Sequence, residues 1–487
     1  MKILFTHSYF LKFDAKQLKT AMPYPPLGTL YAMAYLREKG YDVKLMDTMF
    51  CDSAKDIEKT IIEYKPDVFV SYDDGFNYLT KMCLTNMRDA CFEMQTFAKS
   101  IGSYVITASS DSTDRYEEYL KHGADVVIIG EAEQTLLEIC DAIKEQSPIQ
   151  LISGIAFNKD NDIVKTVNRS VIKDLNTLPA PAWDLIDITP YKNMWIKNHG
   201  YFSLNFVTTR GCPYKCNWCA KPIYGNRYNT HSPESIVMQI KKWQQRFGFT
   251  HIWFADDIFG LKPNWLKEFS ECIKKEKVHI KYKIQSRADL LLEEDSVKYL
   301  AESGCNMVWM GAESGSQKIL DAMDKGIKVE QIYDATRLLK KNDIHVSLFL
   351  QLGYLNETIK DIELTLKMVK DLLPDDLGIS VSYPLPGTVF YEKVKEELKE
   401  KTNWTDSDEL AMLFKNTYQP EFYKQLQIYI HKVFRLKIAQ RSFIKLFSKP
   451  TLKDFKNAIS GLYIFPKKII EKRKLIKIES TISSILS

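Results

Sequence analysis

Three cysteines stand close together in the segment TTRGCPYKCNWCAKPIYG, residues 208–225. They are Cys212, Cys216 and Cys219, and the nearest histidines, His199 and His231, lie more than ten residues from them. A structural zinc site uses four protein ligands, usually in paired Cys or His arrangements. An iron–sulfur cluster can instead be held by three thiolates, which leaves one iron open. The spacing Cys-x3-Cys-x2-Cys therefore favours a cluster whose open iron chelates and then reduces a small molecule.

The elements that must position these cysteines are strands and helices in alternation. Six apolar runs between residues 203 and 387 alternate with segments of helical periodicity, and the cysteines directly follow the first run. This pattern predicts six βα units, either as an open sheet or as a barrel that is incomplete. In β/α barrels the chemistry lies at the C-terminal strand ends. Polar residues cluster at those ends here, namely Asp256, Asp257, Gln285, Arg287, Glu313, Ser314 and Gln351.

The first 150 residues show a second alternation of strand and helix patterns. Apolar runs at residues 2–8, 42–48, 67–74, 103–110 and 124–130 read as buried parallel strands of a doubly wound α/β domain. Ligands of such sheets bind beyond the carboxyl ends of the strands. No GxGxxG follows the first strand, and Pro25-Pro26-Leu27-Gly28 precedes the first helix instead, which argues against a nicotinamide domain.

Length and composition are those of a globular protein with several domains. The 487 residues are 45% hydrophobic and 26% charged, which favours two or three domains. The start of the chain resembles neither a signal nor a transit peptide, and no apolar run is long enough to span a membrane. We therefore expect a cytoplasmic protein with reduced cysteines. The predicted domains are residues 1–150 and 201–400, a Pro-punctuated linker at 151–200, and a C-terminal region at 401–487.

The C-terminal region is strongly basic. Residues 421–487 contain fifteen Lys or Arg against four Asp or Glu, a net charge of +11, whereas residues 1–420 carry −6. Cations mixed with aliphatic and aromatic residues predict amphipathic helices. These helices form either a cap with a solvated cationic face or a peripheral contact with an acidic partner or the inner face of a membrane. No recognition motif supports nucleic acid as a partner.

The triad, with Trp218 before its third cysteine, resembles the signature of radical S-adenosylmethionine (radical SAM) enzymes. Longer segments resemble radical SAM proteins that carry a cobalamin-binding domain, among them PPLGTLYAMAYLREKGYDV, VVIIGEAEQTLLEI, WFADDIFGLKPNWL and GAESGSQKILDAMDKGI. The resemblance covers about residues 1–400. It implies an α/β fold with an N-terminal doubly wound, Rossmann-like B12-binding domain, a partial (β/α)6 TIM-type radical SAM barrel and a C-terminal basic helical region.

The resemblance also implies a set of cofactor ligands. Cys212, Cys216 and Cys219 would ligate a 4Fe-4S cluster, whose open iron binds the amino and carboxylate groups of SAM. The residues that would contact SAM are Trp218, Asp256, Asp257, Arg287, Glu313 and Gln351. The chain departs from the family after the fifth strand, where Gly353-Tyr354-Leu355-Asn356-Glu357-Thr358 lacks the usual Pro-Gly.

Cobalamin would bind at the strand ends of the first domain. The implied contacts are Pro26, Gly28, Asp73, Asp74, Asn77, Ser109, Ser110, Gly130 and Glu131. The chain lacks the Asp-x-His-x-x-Gly motif that ligates cobalt through histidine. Radical SAM relatives hold cobalamin without such a histidine, so its absence does not discriminate. A domain that kept the fold and lost the cofactor is the alternative.

The resemblance implies a cobalamin-dependent radical SAM enzyme, foremost a methyltransferase that acts on an unactivated carbon. The reaction would use a 5′-deoxyadenosyl radical and methylcobalamin, a small-molecule or lipid-like substrate, and an external electron donor of the flavodoxin or ferredoxin type. A radical SAM cyclase or rearranging enzyme that does not methylate is the first alternative. A methylthiotransferase and a B12-binding sensor with an inert barrel are less favoured.

Overall fold

The computed structural model of the protein describes residues 1–73, 75–76, 81, 84–160, 162–398, 401–448 and 450–486, with side chains up to residue 478. The chain divides into two compact units. The first comprises residues 1–214, 221–284 and 403–409, and the second comprises residues 215–220, 285–402 and 410–487. Compact units reflect local packing density and not motif boundaries, so the domain bounds inferred from the sequence stay a prediction.

A seven-stranded sheet forms the centre of the first unit. Its strands lie in the spatial order β2-β1-β3-β4-β5-β6-β7. The strands are β1 (Lys2–Thr6), β2 (Asp42–Leu45), β3 (Val68–Tyr72), β4 (Tyr104–Ala108), β5 (Val126–Ile128), β6 (Ile155–Lys159) and β7 (Asp162–Lys165). The first five pair in parallel and the last two antiparallel. The order β2-β1-β3-β4-β5 is that of a doubly wound fold, as predicted.

Helices cover this sheet because the parallel strands are apolar on both faces. Side chains of β1, β3 and β4, including Leu4, Phe69 and Val105, pack with Ile61 and Met94 of two helices in one buried cluster. The helices of the first unit are Ala15–Thr20, Leu27–Glu38, Asp56–Tyr64, Thr85–Ser100, Ser110–Asp114, Tyr116–Lys121, Glu133–Glu145, Thr189–His199, Pro233–Phe247 and Trp265–Lys275. The sequence analysis places a linker where Thr189–His199 forms a helix.

The second sheet has six strands in the order β15-β14-β13-β12-β11-β8. They are β8 (Ser203–Phe206), β11 (His251–Phe254), β12 (Lys281–Ser286), β13 (Cys305–Glu313), β14 (His345–Leu352) and β15 (Asp376–Val381), while β9 (Thr209–Arg210) and β10 (Asn229–Thr230) form a short antiparallel pair. Spatial order follows chain order, and helices lie between successive strands. The sheet is therefore the predicted partial (β/α)6 barrel.

Helices make up most of the remainder of the second unit. They are Ala288–Leu291, Ser296–Ser303, Gln317–Ala322, Val329–Lys341, Ile359–Leu372, Val389–Val394, Pro420–Lys445 and Leu452–Leu486. The last two confirm the predicted C-terminal helical region. Among the described residues, no helix combines the length and the apolar character needed to cross a bilayer.

Candidate active site

The part of the cysteine segment in the first unit is fixed by a buried carboxylate. Asp256, which follows β11, accepts hydrogen bonds from the backbone N–H groups of Thr208 and Thr209 (2.7 and 2.9 Å) and from the Thr208 hydroxyl (2.7 Å). Burial raises the pKa of Asp256 to about 7, although these hydrogen bonds act to lower it. The carboxylate therefore fixes the segment that follows β8, in which Thr208 lies four residues before Cys212.

A glycine turn leads from this strand end to the first cysteine. Gly211 has φ +82°, and a Cβ at this position would lie 2.5 Å from the carbonyl oxygen of Arg227. Only glycine fits such a left-handed and crowded position. Cys212, the next residue, is buried.

The other two cysteines lie in the second unit, where Asn217 anchors the loop between them. The Asn217 amide group donates to the Ala322 carbonyl (2.7 Å) and to the Asp324 carboxylate (2.9 Å), and its oxygen accepts from the Tyr354 hydroxyl (2.7 Å). The Asn217 backbone N–H also donates to the carbonyl of Met323 (3.1 Å). These bonds fix the loop at Asn217, the residue between Cys216 and Trp218. The sequence analysis missed Asn217, because an asparagine in a loop carries no signal of its own.

Two cations lie near Cys216 within the second unit. Arg287, at the end of β12, pairs with Asp289 (3.0 Å) and directs a guanidinium nitrogen toward the Cys216 sulfur (3.9 Å). Lys325 pairs with Glu313 at the end of β13 (2.7 Å). Burial acts to lower the pKa of Lys325, but the charges of Glu313 and Cys216 outweigh it and raise that pKa. Positive charge at this place offsets the negative charge of a thiolate that binds a metal.

Glu313 stands on an irregular strand end. Its φ is +56°, and the register of β13 against β14 shifts between Gly311 and Glu313. A Cβ at Gly311 would lie 2.7 Å from the ammonium nitrogen of Lys325, so this glycine makes room for the ion pair. Bulges of this kind redirect side chains next to active sites. The sequence analysis selected Glu313 but missed its partner Lys325.

The remaining candidates for SAM contact have surroundings of their own. Gln351, near the end of β14, donates to the Ser382 hydroxyl (3.0 Å). Asp257, in the first unit, pairs with Lys81 (2.6 Å) and is about one third exposed. The indole nitrogen of Trp218 is buried, and it has no hydrogen-bond partner among the described residues. SAM contacts of these residues, like those of Asp256, Arg287 and Glu313, stay predictions.

The residues present fit an iron–sulfur cluster. The described cysteines form no disulfides, so thiolates are available. In the described part of the chain, no three His, Cys, Asp or Glu side chains converge as ligands of one metal ion. A structural zinc site uses four protein ligands, whereas an iron–sulfur cluster can be held by three thiolates. The donor set of three thiols with adjacent cations is therefore that of a cluster.

The strand ends of the seven-stranded sheet place several predicted cobalamin contacts at one edge. Asp73, after β3, accepts from the Ser8 backbone N–H (2.6 Å) and hydroxyl (2.8 Å), and burial raises its pKa. Ser109 caps the helix that begins at Ser110. Pro26 caps the helix Leu27–Glu38, which contains the buried Gly28. Gly130 follows β5 with φ +84°, whereas Asp74 and Asn77 lie outside the described residues.

Glu131 lies in an ion-pair network that the sequence analysis did not foresee. Arg210, almost fully buried, donates to Glu131 and to Glu133, at 2.5 and 2.6 Å. The rings of Tyr31, Phe76 and Tyr224 surround its guanidinium at 5.4, 5.7 and 5.3 Å. Glu131 also accepts from the backbone N–H of residue 172. Both of its oxygens are thus engaged by protein groups, and its cobalamin contact stays a prediction.

Comparisons with known proteins agree with this geometry. An uncharacterized methyltransferase of Pyrococcus horikoshii is 29% identical over 387 residues, which are 78% of this chain and 81% of the relative. An anaerobic magnesium-protoporphyrin IX monomethyl ester cyclase of Rubrivivax gelatinosus is 26% identical over 82% of this chain and 71% of the relative. The solved structure of the radical S-adenosylmethionine methyltransferase TsrM from Kitasatospora setae, with cobalamin and a 4Fe-4S cluster bound, shares the fold. Its TM-score is 0.68 at 17% identity, over 81% of this chain and 74% of that one.

Family models match both halves of the predicted architecture. Residues 18–140 match the B12 binding domain, and residues 206–369, which include all three cysteines of the triad, match the radical SAM superfamily. Residues 206–369 therefore form a radical SAM domain and residues 18–140 a B12-binding domain, and the chain is an enzyme whose cofactors are a 4Fe-4S cluster, S-adenosylmethionine and cobalamin.

Proposed function

We propose that the protein is a methyltransferase that places a methyl group on an unactivated carbon. The observation that carries the proposal is the joint presence of a B12-binding domain and a radical SAM domain with its three cysteines. A relative and a structural neighbour named as methyltransferases support it. When bound, SAM at the cluster would supply a hydrogen-abstracting radical and cobalamin would carry the methyl group, which suits an sp3 carbon that has no lone pair.

The cysteine segment would hold the cluster through Cys212, Cys216 and Cys219. In the second unit, Arg287 lies 3.9 Å from the Cys216 sulfur and would offset the negative charge of the cluster. Lys325 would position Glu313 at the end of β13, where a carboxylate can accept hydrogen bonds from the SAM ribose or amine. Trp218, Asp256, Asp257 and Gln351 are the further proposed SAM contacts.

The strand ends of the first domain would hold cobalamin. The small or polar residues Pro26, Gly28, Asp73, Ser109, Ser110 and Gly130 stand there in the structure, and Glu131 would act through its pairing with Arg210. Small side chains allow close approach of a flat macrocycle, and hydroxyl or carboxylate groups can bind its amide side chains. The electron that starts each turnover would come from an external flavodoxin or ferredoxin.

Cobalamin retention and product analysis test the proposal. The protein is reconstituted with iron and sulfide without oxygen, loaded with hydroxocobalamin and desalted, and its corrin absorbance is compared with its iron content. About one cobalamin per cluster, and S-adenosylhomocysteine together with 5′-deoxyadenosine on turnover, are the expected results. Protein with full iron and no corrin would contradict the proposal.

A radical SAM enzyme that does not methylate is the second candidate. The similarity to the cyclase of Rubrivivax gelatinosus favours it specifically. Such an enzyme would form 5′-deoxyadenosine without S-adenosylhomocysteine. The same product analysis therefore separates the two candidates.

We further propose that the C-terminal helices contact an anionic membrane surface, the inner face of the cytoplasmic membrane, and that the substrate is lipid-like. Large apolar side chains of these helices and of the turn between them are exposed, with exposed fractions of 80% for Phe447 in the turn, 83% for Leu452 and 80% for Leu462. A cavity of about 560 Å³ between the helices has an apolar lining that includes Phe443 and Phe465. Basic helices with exposed apolar groups bind anionic lipid in this way.

Vesicle sedimentation tests this contact with the whole chain. The protein is expected to sediment with phosphatidylcholine vesicles that contain phosphatidylglycerol and to bind pure phosphatidylcholine more weakly. The double variant Phe447→Ser/Leu462→Ser is expected to lose most of this binding. Leu151→Ser, at an 86% exposed position of the first unit, is the control and should bind as the wild type does. Equal binding of both variants would contradict the proposal.

A further inference from the structure

The barrel sheet carries a lysine that the proposed chemistry does not use. On one face of the sheet in the first unit, Phe254 of β11 and Tyr282 of β12 pack against Phe269 of the helix Trp265–Lys275. Because side chains alternate along a strand, Trp253 and Lys283 point to the opposite face. That face is the inner face of the sheet, toward which side chains in successive layers point in β/α barrels.

Lys283 faces aromatic rings and not a carboxylate. Its ammonium nitrogen lies 5.3 Å from the ring centre of Tyr24 and 5.4 Å from that of Trp253. Desolvation is the single influence found on its pKa, which falls to about 8. Among the described residues, no acidic group pairs with it. A cation held in this way gains some stabilisation from the rings, but it keeps its capacity to bind an anion.

Two aromatic rings and their neighbours cover Lys283 on the side toward the N-terminal ends of the strands. The two aromatic rings lie 4.8 Å apart. The Tyr24 hydroxyl bonds to that of Ser203 (3.1 Å), which in turn bonds to His251 (2.8 Å). Lys283 itself retains partial solvent exposure. Its ammonium group thus lies against two aromatic rings, and the hydroxyl of one of them, Tyr24, is already hydrogen-bonded.

A second polar group stands in the same row of the sheet. Asn205 of β8 and Lys283 of β12 are both register partners of Trp253. The Asn205 amide nitrogen donates to the Pro25 carbonyl (2.9 Å), whereas its buried oxygen has no hydrogen-bond partner among the described residues. A buried polar atom without a partner is costly unless a ligand or water completes it. Beside Trp253, the Lys283 ammonium group therefore has no acidic partner, and the Asn205 side-chain oxygen has no hydrogen-bond donor, among the described residues.

We propose that Lys283 binds an anionic group, a carboxylate or a phosphate, of the substrate at the inner face of β8, β11 and β12, with the rings of Tyr24 and Trp253 against the adjoining apolar part. This inference rests on the proposed function only in taking the bound molecule to be the substrate. The chemistry it selects is an amphiphilic acid, in which an apolar body carries one anionic head.

Fluorine NMR with 4-fluorobenzoate tests the proposal on the anaerobic holoenzyme, and neutral 4-fluorobenzamide is the matched probe. We expect the wild type to bind the benzoate, Lys283→Arg to retain most of this affinity, and Lys283→Met to weaken it about tenfold, as loss of a charge-assisted hydrogen bond does. Lys281→Met, at an exposed position two residues earlier on β12, should bind as the wild type does. Equal affinities of Lys283→Met and wild type, or of the benzoate and the benzamide, would overturn the proposal.

A labelling experiment covers the case in which Lys283→Met fails to fold. Acetic anhydride is applied to wild-type holoenzyme with and without 4-fluorobenzoate, and acetylation of Lys283 is read by peptide mass spectrometry. The benzoate is expected to slow labelling of Lys283 and not of Lys281; equal labelling rates would overturn the proposal. Protection by hydroxocobalamin alone would assign the anion to the cofactor's phosphate and overturn the substrate assignment. Neither readout requires turnover, so failure to form S-adenosylhomocysteine would contradict the methyltransferase proposal separately.

Discussion

Two buried charge networks, one in each unit, differ in their balance. Arg210 of the first unit has two glutamate partners and three aromatic rings around it. Arg287 and Lys325 of the second unit have one carboxylate each, Asp289 and Glu313, and both also interact with Cys216. The first network already has more anions than cations. In the second network the two cations match the two carboxylates without the thiol of Cys216. This network can therefore take on the negative charge of a thiolate or a cluster.

This difference separates a structural role from a role at the cofactor. A buried cation that is surrounded by anions and rings contributes by avoiding the cost of an unpaired charge. Cations that lie beside a thiol act on its ionisation and on the metal that it binds. The following changes should therefore affect stability in the first network and iron binding in the second.

The largest effect is expected from Cys216→Ala in the second network. Removal of one of three thiolate ligands should leave the reconstituted protein with little of its iron, because the cluster loses an anchoring bond. Iron analysis and the visible absorbance of the cluster measure this. Cys272→Ala, on the helix Trp265–Lys275, is the control and should retain the iron of the wild type. A Cys216→Ala protein with full iron would break the assignment of the second network to the cluster.

The next largest effect is expected from Arg210→Met in the first network. The change leaves Glu131 and Glu133 buried without their cation, which typically costs about 3–5 kcal/mol of unfolding free energy. Urea unfolding of the anaerobic protein gives this value. Arg337→Met removes an exposed ion pair with Asp334 and should cost at most about 1 kcal/mol. Similar losses for the two variants would show that the first network is no more structural than a surface pair.

A smaller effect, in pH dependence, is expected from Asp256. Its carboxylate is buried among hydrogen bonds from Thr208 and Thr209, and its pKa is raised from 3.8 to about 7. Between these pKa values the unfolded chain releases the proton while the folded chain retains it. Stability is therefore lost as pH rises from about 4 to 7 and then levels off.

The variant Asp256→Asn does not titrate, so it should lose less stability than the wild type between pH 5 and pH 8. The expected difference is on the order of a few kcal/mol. Thermal unfolding across this range measures it, with the exposed Asp334→Asn as control. Parallel pH profiles for wild type and Asp256→Asn would contradict the raised pKa and place Asp256 among ordinary ionised carboxylates.

The sequence was sufficient where the signal is local. Apolar runs of the first 150 residues predicted β1 to β5. Four of these strands are almost fully buried and must therefore be apolar throughout, whereas β2, at the sheet edge, is at most partly buried. The short strand β7 escaped prediction because its side chains are at most partly buried, so its pattern resembles that of a loop. The helix Thr189–His199 escaped it because prolines before it suggested a linker, although Pro190 stands in the first turn, where a helix tolerates it.

Residue types and their spacing along the chain determined the chemistry of this protein: three cysteines within eight residues, strand-end carboxylates, and a basic C-terminal region. The tertiary structure alone decided which of these groups are paired. Lys325 meets Glu313, Arg210 meets Glu131, Asp256 binds Thr208, and Lys283 meets two aromatic rings. Such partners join residues from 12 to more than 200 positions apart, and the energy of a charge depends on the burial and the neighbours that only folding provides.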